Sequence, residues 1–283
     1  MFQPKTYTPN DYRNYGVVRN IRELLSNIYN YRTLIKWLTR VGLTQQYKKS
    51  FLGITWLFIS PMISVLLWLL LHYTGMFNPG ETIVPYVAYV FLSSAIWNFF
   101  ISFYKSISET YTGRGGELLQ NNFPHVIIVI EKIIISVVNF GIPLLLSVFV
   151  LLIFNVKLSW TLLLFPFALI PLMLLGTALG LFFSVLKIVA LDLSNFFDNA
   201  LDILKYVTPI VFATSVNNST LQLVMKYNPL TYLVNFPRSL LLNQGFPDLD
   251  IYLICSFFTF IFLLMAYRFF SISSPVVFEK ITL

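Results

Sequence analysis

The chain is poor in the residues that do chemistry. It holds one cysteine, Cys255, and two histidines, His72 and His125. A single cysteine excludes an intrachain disulfide and a cysteine-based metal site. Neither histidine sits in an H-E-x-x-H or paired Cys/His spacing. No segment fits the G-x-x-x-x-G-K-[ST] pattern of a nucleotide-binding loop, and no nucleophile elbow is present. Gly113-Arg114-Gly115-Gly116 is glycine-rich, but without that pattern or a preceding strand it is no phosphate cradle. Only 11% of the residues are charged, against roughly 25% in soluble domains. The 12 acidic residues are scattered, mostly in loops. No reaction centre is legible, and the chain reads as something other than an enzyme.

What fills the chain instead is apolar sequence. Hydrophobic residues make up 57% of it, in six long stretches at 54–74, 84–104, 133–154, 160–186, 195–216 and 251–270. About 20 such residues are what an α-helix needs to cross a bilayer of roughly 30 Å. The expectation is an all-α membrane protein with six transmembrane helices: a segment 1–50 followed by a six-helix domain over 51–283. The first 50 residues are polar and basic, with no apolar core of the kind a signal peptide needs. Lys5, Arg13, Arg19, Arg22, Arg32, Lys36, Arg40, Lys48 and Lys49 precede the first stretch. Lys105, Arg114, Lys187, Arg268 and Lys280 fall on the same side, against Lys157, Lys226 and Arg238 on the other. The positive-inside rule then puts both termini in the cytoplasm. The net charge of +7 is this topology signal plus attraction to anionic lipid, not a nucleic-acid surface.

The connections carry their own patterns. Ile21, Leu24, Leu25, Ile28, Tyr31, Ile35 and Leu38 recur at helical spacing, predicting one amphipathic helix over 19–40 in the cytoplasmic interface. In 106–125, residues 117–122 predict a short helix stopped by Phe123-Pro124, either a plain connection or a docking knob for another protein. Gly176 and Gly180 form a G-x-x-x-G pair suited to close helix packing. The fifth stretch contains Asp198, Asp202 and Lys205 on one predicted face. Such groups line a bundle interior or a water-filled path, or sit at the interface with Lys205 snorkelling towards Asp202. Thr208-Pro209 predicts a kink. Residues 216–250 alternate apolar clusters with helix breakers and predict two short helices dipping into the outer leaflet. Aromatic content is 17%. Most rings suit lipid or an interfacial belt; Trp56, Trp68, Tyr73, Phe196, Tyr206 and Phe212 are candidates for lining a path.

A family resemblance appears in these residues. Tyr47-Lys48-Lys49-Ser50-Phe51-Leu52-Gly53-Ile54-Thr55-Trp56 followed by Ser60-Pro61 resembles the start of the first span in permease subunits of ABC-type polysaccharide exporters, which move O-antigen, capsule or teichoic acid. Phe123-Pro124, Thr208-Pro209-Ile210 and Asn228-Pro229-Leu230-Thr231-Tyr232 with Arg238 follow in the family's order. Leu191 before Asp192 and Gln46 before Tyr47 depart from it.

The resemblance implies a homodimer, each subunit pairing with a separate ATP-binding subunit that carries ATP and Mg; this chain would hold no cofactor. The docking helix would seat Arg114, Glu117, Leu118, Leu119, Asn122, Phe123 and Pro124 on that subunit. Residues 216–245, with Asn228, Pro229, Tyr232 and Arg238, would form outer gate helices. The first and fifth spans would line the channel, and the cargo would be a lipid-linked glycan crossing the bacterial cytoplasmic membrane. Two other readings remain: an ABC exporter of a drug or lipid, and an ion-coupled carrier using Asp198, Asp202 and Lys205 as a relay.

Overall fold

A computed structural model describes residues 17–48, 53–113, 124–157, 160–215 and 218–282. All regular structure among them is helical. In chain order the helices are α1 (Val17–Asn30), α2 (Arg32–Lys48), α3 (Trp56–Tyr73), α4 (Tyr86–Ser108) and α5 (Val126–Ile153). Then come α6 (Ile170–Val189), α7 (Leu191–Leu204), α8 (Ser219–Tyr227), α9 (Pro229–Leu241) and α10 (Leu249–Thr282). A 3-10 turn Trp160–Leu164 and a one-turn helix Phe165–Ala168 lead into α6.

Five helical segments among the described residues are long and apolar enough to cross a membrane: α3, α4, α5, the run Trp160–Val189, and Leu249–Ser274 of α10. The protein is a multi-pass membrane protein. These segments match five of the six apolar stretches, and most reach further than the apolar runs. α4 runs on to Ser108 and α5 starts at Val126, because the polar residues at their ends are hydrogen-bonded to neighbouring helices rather than left in loops.

The stretch 195–216 differs from expectation. The helix that enters it, α7, has 14 residues, about 21 Å at 1.5 Å per residue and so short of a span on its own. The helix stops at Leu204 instead of continuing through a kink. Pro209 has no N–H to give and disfavours helical backbone at Thr208. The Thr208 hydroxyl takes the Leu204 carbonyl at 2.8 Å, and the Ile210 N–H turns back to the Thr208 carbonyl at 2.7 Å. Residues 205–213 carry the chain onward in turns.

The predicted single helix over 19–40 is two helices meeting at Tyr31, and the second reaches Lys48. Ile35 and Leu38 of α2 bury against Ile127 of α5, while Arg32, Lys36, Trp37 and Arg40 stay exposed. Gln46 accepts a hydrogen bond from Asn139 of α5 at 3.1 Å, fixing the pair against the bundle.

The core is built around α4. Its most apolar window is 78% buried, whereas that of α3 is 6% buried; α4 is the central post and α3 an outer helix. α6 lies against α4 because Gly176 and Gly180 let the backbones approach. A Cβ on Gly176 would stand 2.7 Å from the Phe100 carbonyl oxygen, and one on Gly180 would stand 2.7 Å from Ile107 Cβ. The G-x-x-x-G pair thus serves packing within the chain.

Candidate functional site

α4 is bonded to its neighbours at both ends. One end, called here the basic end, gathers Lys105, Lys132 and Lys187. There the Tyr104 hydroxyl donates to Asp198 of α7 at 2.6 Å. The Ser106 carbonyl accepts from Lys132 of α5, and Lys187 of α6 donates to the Ser108 hydroxyl at 2.9 Å. Lys187 also stands 3.8 Å from Asp198. Just past the helix, Tyr111 meets His125 and Ser274 of α10. Aromatic rings fill the space between these groups: Phe183 stacks on Phe197 at 4.2 Å, and both stand against Tyr104. Burial pushes the His125 pKa down to about 4 and raises that of the Tyr111 phenol, so both are neutral at physiological pH.

The opposite end is organised by Arg238 of α9. Its side chain is 3% exposed. It donates to the Tyr89 hydroxyl at 2.7 Å, to the Ser93 hydroxyl at 3.0 Å, and to the Pro209 carbonyl and Asn235. Its guanidinium also lies 4.4 Å from the centre of the Tyr89 ring. Among the described residues no carboxylate pairs with it. Carbonyl and hydroxyl dipoles and the ring face disperse the charge instead. Tyr89 in turn donates towards the Pro209 and Phe212 carbonyls. One arginine and one tyrosine therefore bind α9, α4 and the turns after α7 together.

Asn228 strengthens the joint. It caps α9 by accepting from the Leu230 N–H at 3.0 Å, with Pro229 in the first turn, where its missing N–H costs nothing. Its amide donates to the Thr208 hydroxyl at 3.0 Å. Tyr232 donates to the Lys226 carbonyl at 2.8 Å and holds α8 to α9. These two short helices stand where two were expected.

The candidate path residues divide. Trp68 packs against Tyr206 and Phe77, with ring centres 5.7 and 5.5 Å away. Phe77 also meets Phe212 at 4.9 Å, so Trp68, Tyr206 and Phe212 converge at the Arg238 end. Trp56, Tyr73 and Phe196 are exposed, as is Tyr206, and Tyr73 reaches that cluster through His72 and Tyr86. The three charged residues divide: Asp198 turns inward to Tyr104 and Lys187, while Asp202 is exposed and its charge acts on Lys205 at the end of α7, the pairing expected for an interfacial lysine. Arg114, Glu117, Leu118, Leu119, Asn122 and Phe123 lie outside the described residues; Pro124 is half-buried just before α5.

Sequence reasoning missed Phe77, Tyr89, Tyr104, Tyr111 and Lys187. The signal for most of them was a lone polar group in or at the end of an apolar helix, which needs a partner when buried. For Phe77 the signal was the Asn78-Pro79-Gly80 turn beside it, which folds the ring back onto α3 and α4.

The bonded post and the short helices at one end follow the order of motifs noted in the sequence. The chain is 23% identical over 236 residues to the O-antigen export system permease protein RfbA of Myxococcus xanthus, covering 83% of this chain and 88% of that protein. The chain resembles the permease subunits of ABC-type polysaccharide exporters. Two proteins of Klebsiella pneumoniae bearing the same name are each 22% identical to it, over 217 and 212 residues, covering 74% of this chain and 80% of each of them. No protein-family model matches the chain. A likeness covering this much of both chains goes beyond one shared motif.

Proposed function

We propose that this chain is the transmembrane subunit of an ATP-driven exporter that moves a lipid-linked polysaccharide across the bacterial cytoplasmic membrane. The observation that carries the reading is the likeness to an O-antigen export permease over 83% of the chain. The basic end faces the cytoplasm, in keeping with the positive-inside rule. Residues 191–213 form the sixth crossing, part helix and part turns, since Asp198 lies at the level of Tyr104 and Pro209 at the level of Tyr89 on α4. Such a broken crossing is tolerable in a membrane where it is buried in protein or lines a cavity.

Two copies enclose the path. The outer face of α3, with Met62, Ile63, Leu66, Leu67 and Leu70 exposed, faces the second copy or lipid. A separate subunit binds and hydrolyses ATP with Mg and seats on the stretch 114–123. α8 and α9 act as the outer gate, and the cluster of Trp68, Tyr206 and Phe212 offers ring faces to sugar or isoprenoid surfaces as the cargo leaves.

The test is reconstitution of the chain with its ATP-binding partner in proteoliposomes, scoring ATP-dependent passage of the lipid-linked polymer. Passage is expected for the wild type. Glu117→Lys or Leu118→Asp is expected to lower it at least fivefold while the permease stays folded. Passage at the wild-type rate in both variants would contradict the docking stretch; passage without ATP, collapsing with the proton gradient, would favour the carrier.

A further inference from the structure

The two residues that flank the stretch 114–123 are joined to each other. Tyr111 follows α4 and His125 precedes α5, and their rings meet edge to face with centres 5.6 Å apart. The Tyr111 hydroxyl is 3.2 Å from His125 Nδ1. Ser274 of α10 closes the triangle: it accepts from Tyr111 at 3.1 Å and reaches His125 Nδ1 itself. Tyr111 also stacks on Phe270 of α10, with centres 5.5 Å apart and planes 24° from parallel. Tyr111 is 1% exposed.

The Tyr111 O–H donates to Ser274, and two tautomers of His125 then fit the triangle. With Nδ1 bare, the Ser274 O–H donates to it; with Nδ1 protonated, it donates to the Ser274 oxygen. In both the imidazole is neutral. Burial, which lowers the His125 pKa to about 4, keeps it so. The neighbouring bonds at Tyr104, Ser106 and Ser108 extend the connection to α7, α5 and α6. The ends of the stretch are therefore anchored in one packed end shared by α4, α5, α6, α7 and α10.

We propose that Tyr111, His125 and Ser274 form a transmission clasp. It makes a displacement of the stretch 114–123 move α4, α5 and α10 as one body, and α4 carries that movement to Tyr89 and Arg238. The proposal rests on the reading of 114–123 as the docking site of an ATP-hydrolysing subunit. The three are positioning residues; none needs to touch ATP or cargo. With the clasp opened, the partner still binds and still turns over ATP, but the bundle no longer follows.

The experiment compares wild type, Tyr111→Phe, Ser274→Ala, His125→Leu and His125→Gln, each co-reconstituted with the ATP-binding partner. Complex formation, ATP turnover and polymer exported per ATP are read from the same vesicles. Tyr111→Phe, Ser274→Ala and His125→Leu should keep the complex and ATP turnover within about twofold, and lose at least fivefold in polymer per ATP. His125→Gln, whose amide can accept from Ser274 or donate to it, should recover most of it. Wild-type polymer per ATP in the three opened variants overturns the clasp and leaves the docking reading standing. Loss of the assembled complex in all three also overturns it, by making the triangle a folding element alone. If Glu117→Lys leaves wild-type coupling intact, the docking reading fails first.

Discussion

A guanidinium that is 3% exposed, with no carboxylate beside it among the described residues, persists only where neutral acceptors are already fixed in place. For Arg238 these are Tyr89, Ser93, Asn235 and the Pro209 carbonyl. Removing the side chain takes one donor from each of them, although the Pro209 carbonyl keeps the Tyr89 hydroxyl, and losing these charge-assisted bonds costs about 3 kcal/mol. Arg238→Ala should lower the melting temperature in detergent, and Arg238→Lys should recover only part, because an ammonium lacks the planar fork. An unchanged melting temperature for Arg238→Ala would show that the joint carries no stability. His125 gives a second prediction. Its pKa falls from 6.5 to about 4 on folding, so the unfolded chain takes up the proton first. Its contribution to stability is complete above about pH 6.5 and is lost as pH drops towards 4. Thermal melts across that range should show the fall, and His125→Gln should flatten it; identical slopes would remove the assignment. Neither network was visible in sequence, because Tyr89 and Arg238 stand 149 positions apart and His125 and Ser274 also 149. Only the type of residue hinted at them.

Packing of α6 on α4 belongs to the element scale. The G-x-x-x-G pair could be read in the sequence as a close-approach motif, but its partner could not. In the fold, Gly176 meets Phe100 and Phe103, and Gly180 meets Ile107 and Tyr104. Gly180→Leu should push the helices apart, lowering the yield of folded protein and the melting temperature. Gly141→Ala on α5, where nothing lies within 4 Å, should be neutral or gain up to about 1 kcal/mol from helix propensity. Equal effects at the two sites would contradict this packing. The apolar stretches were readable because long unbroken runs leave few alternatives to a helix. The sequence predicts a kink where the helix breaks after Leu204, since it shows that Pro209 disturbs a helix but not that Thr208 and Asn228 donate to the freed Leu204 and Val207 carbonyls.

At the scale of the whole molecule, α4 joins the basic end to the end that carries α8 and α9. Its burial and its bonds at both termini make it the element best suited to pass motion between the docking site and the gate that the proposed function assigns to those two ends. The sequence has no nucleotide-binding loop, and the proposed function assigns the motor to a separate subunit. The crowding of Trp68, Phe77, Tyr206 and Phe212 beside Arg238 could not be read there, because those rings come from separate segments. The central claim is that ATP turnover by the partner drives a lipid-linked polymer through this chain. Its most direct test is ATP hydrolysis by the co-reconstituted complex, measured with and without added lipid-linked polymer. The account predicts a severalfold rise on polymer addition that depends on the presence of this chain. Turnover that ignores the polymer while the complex is intact would contradict it.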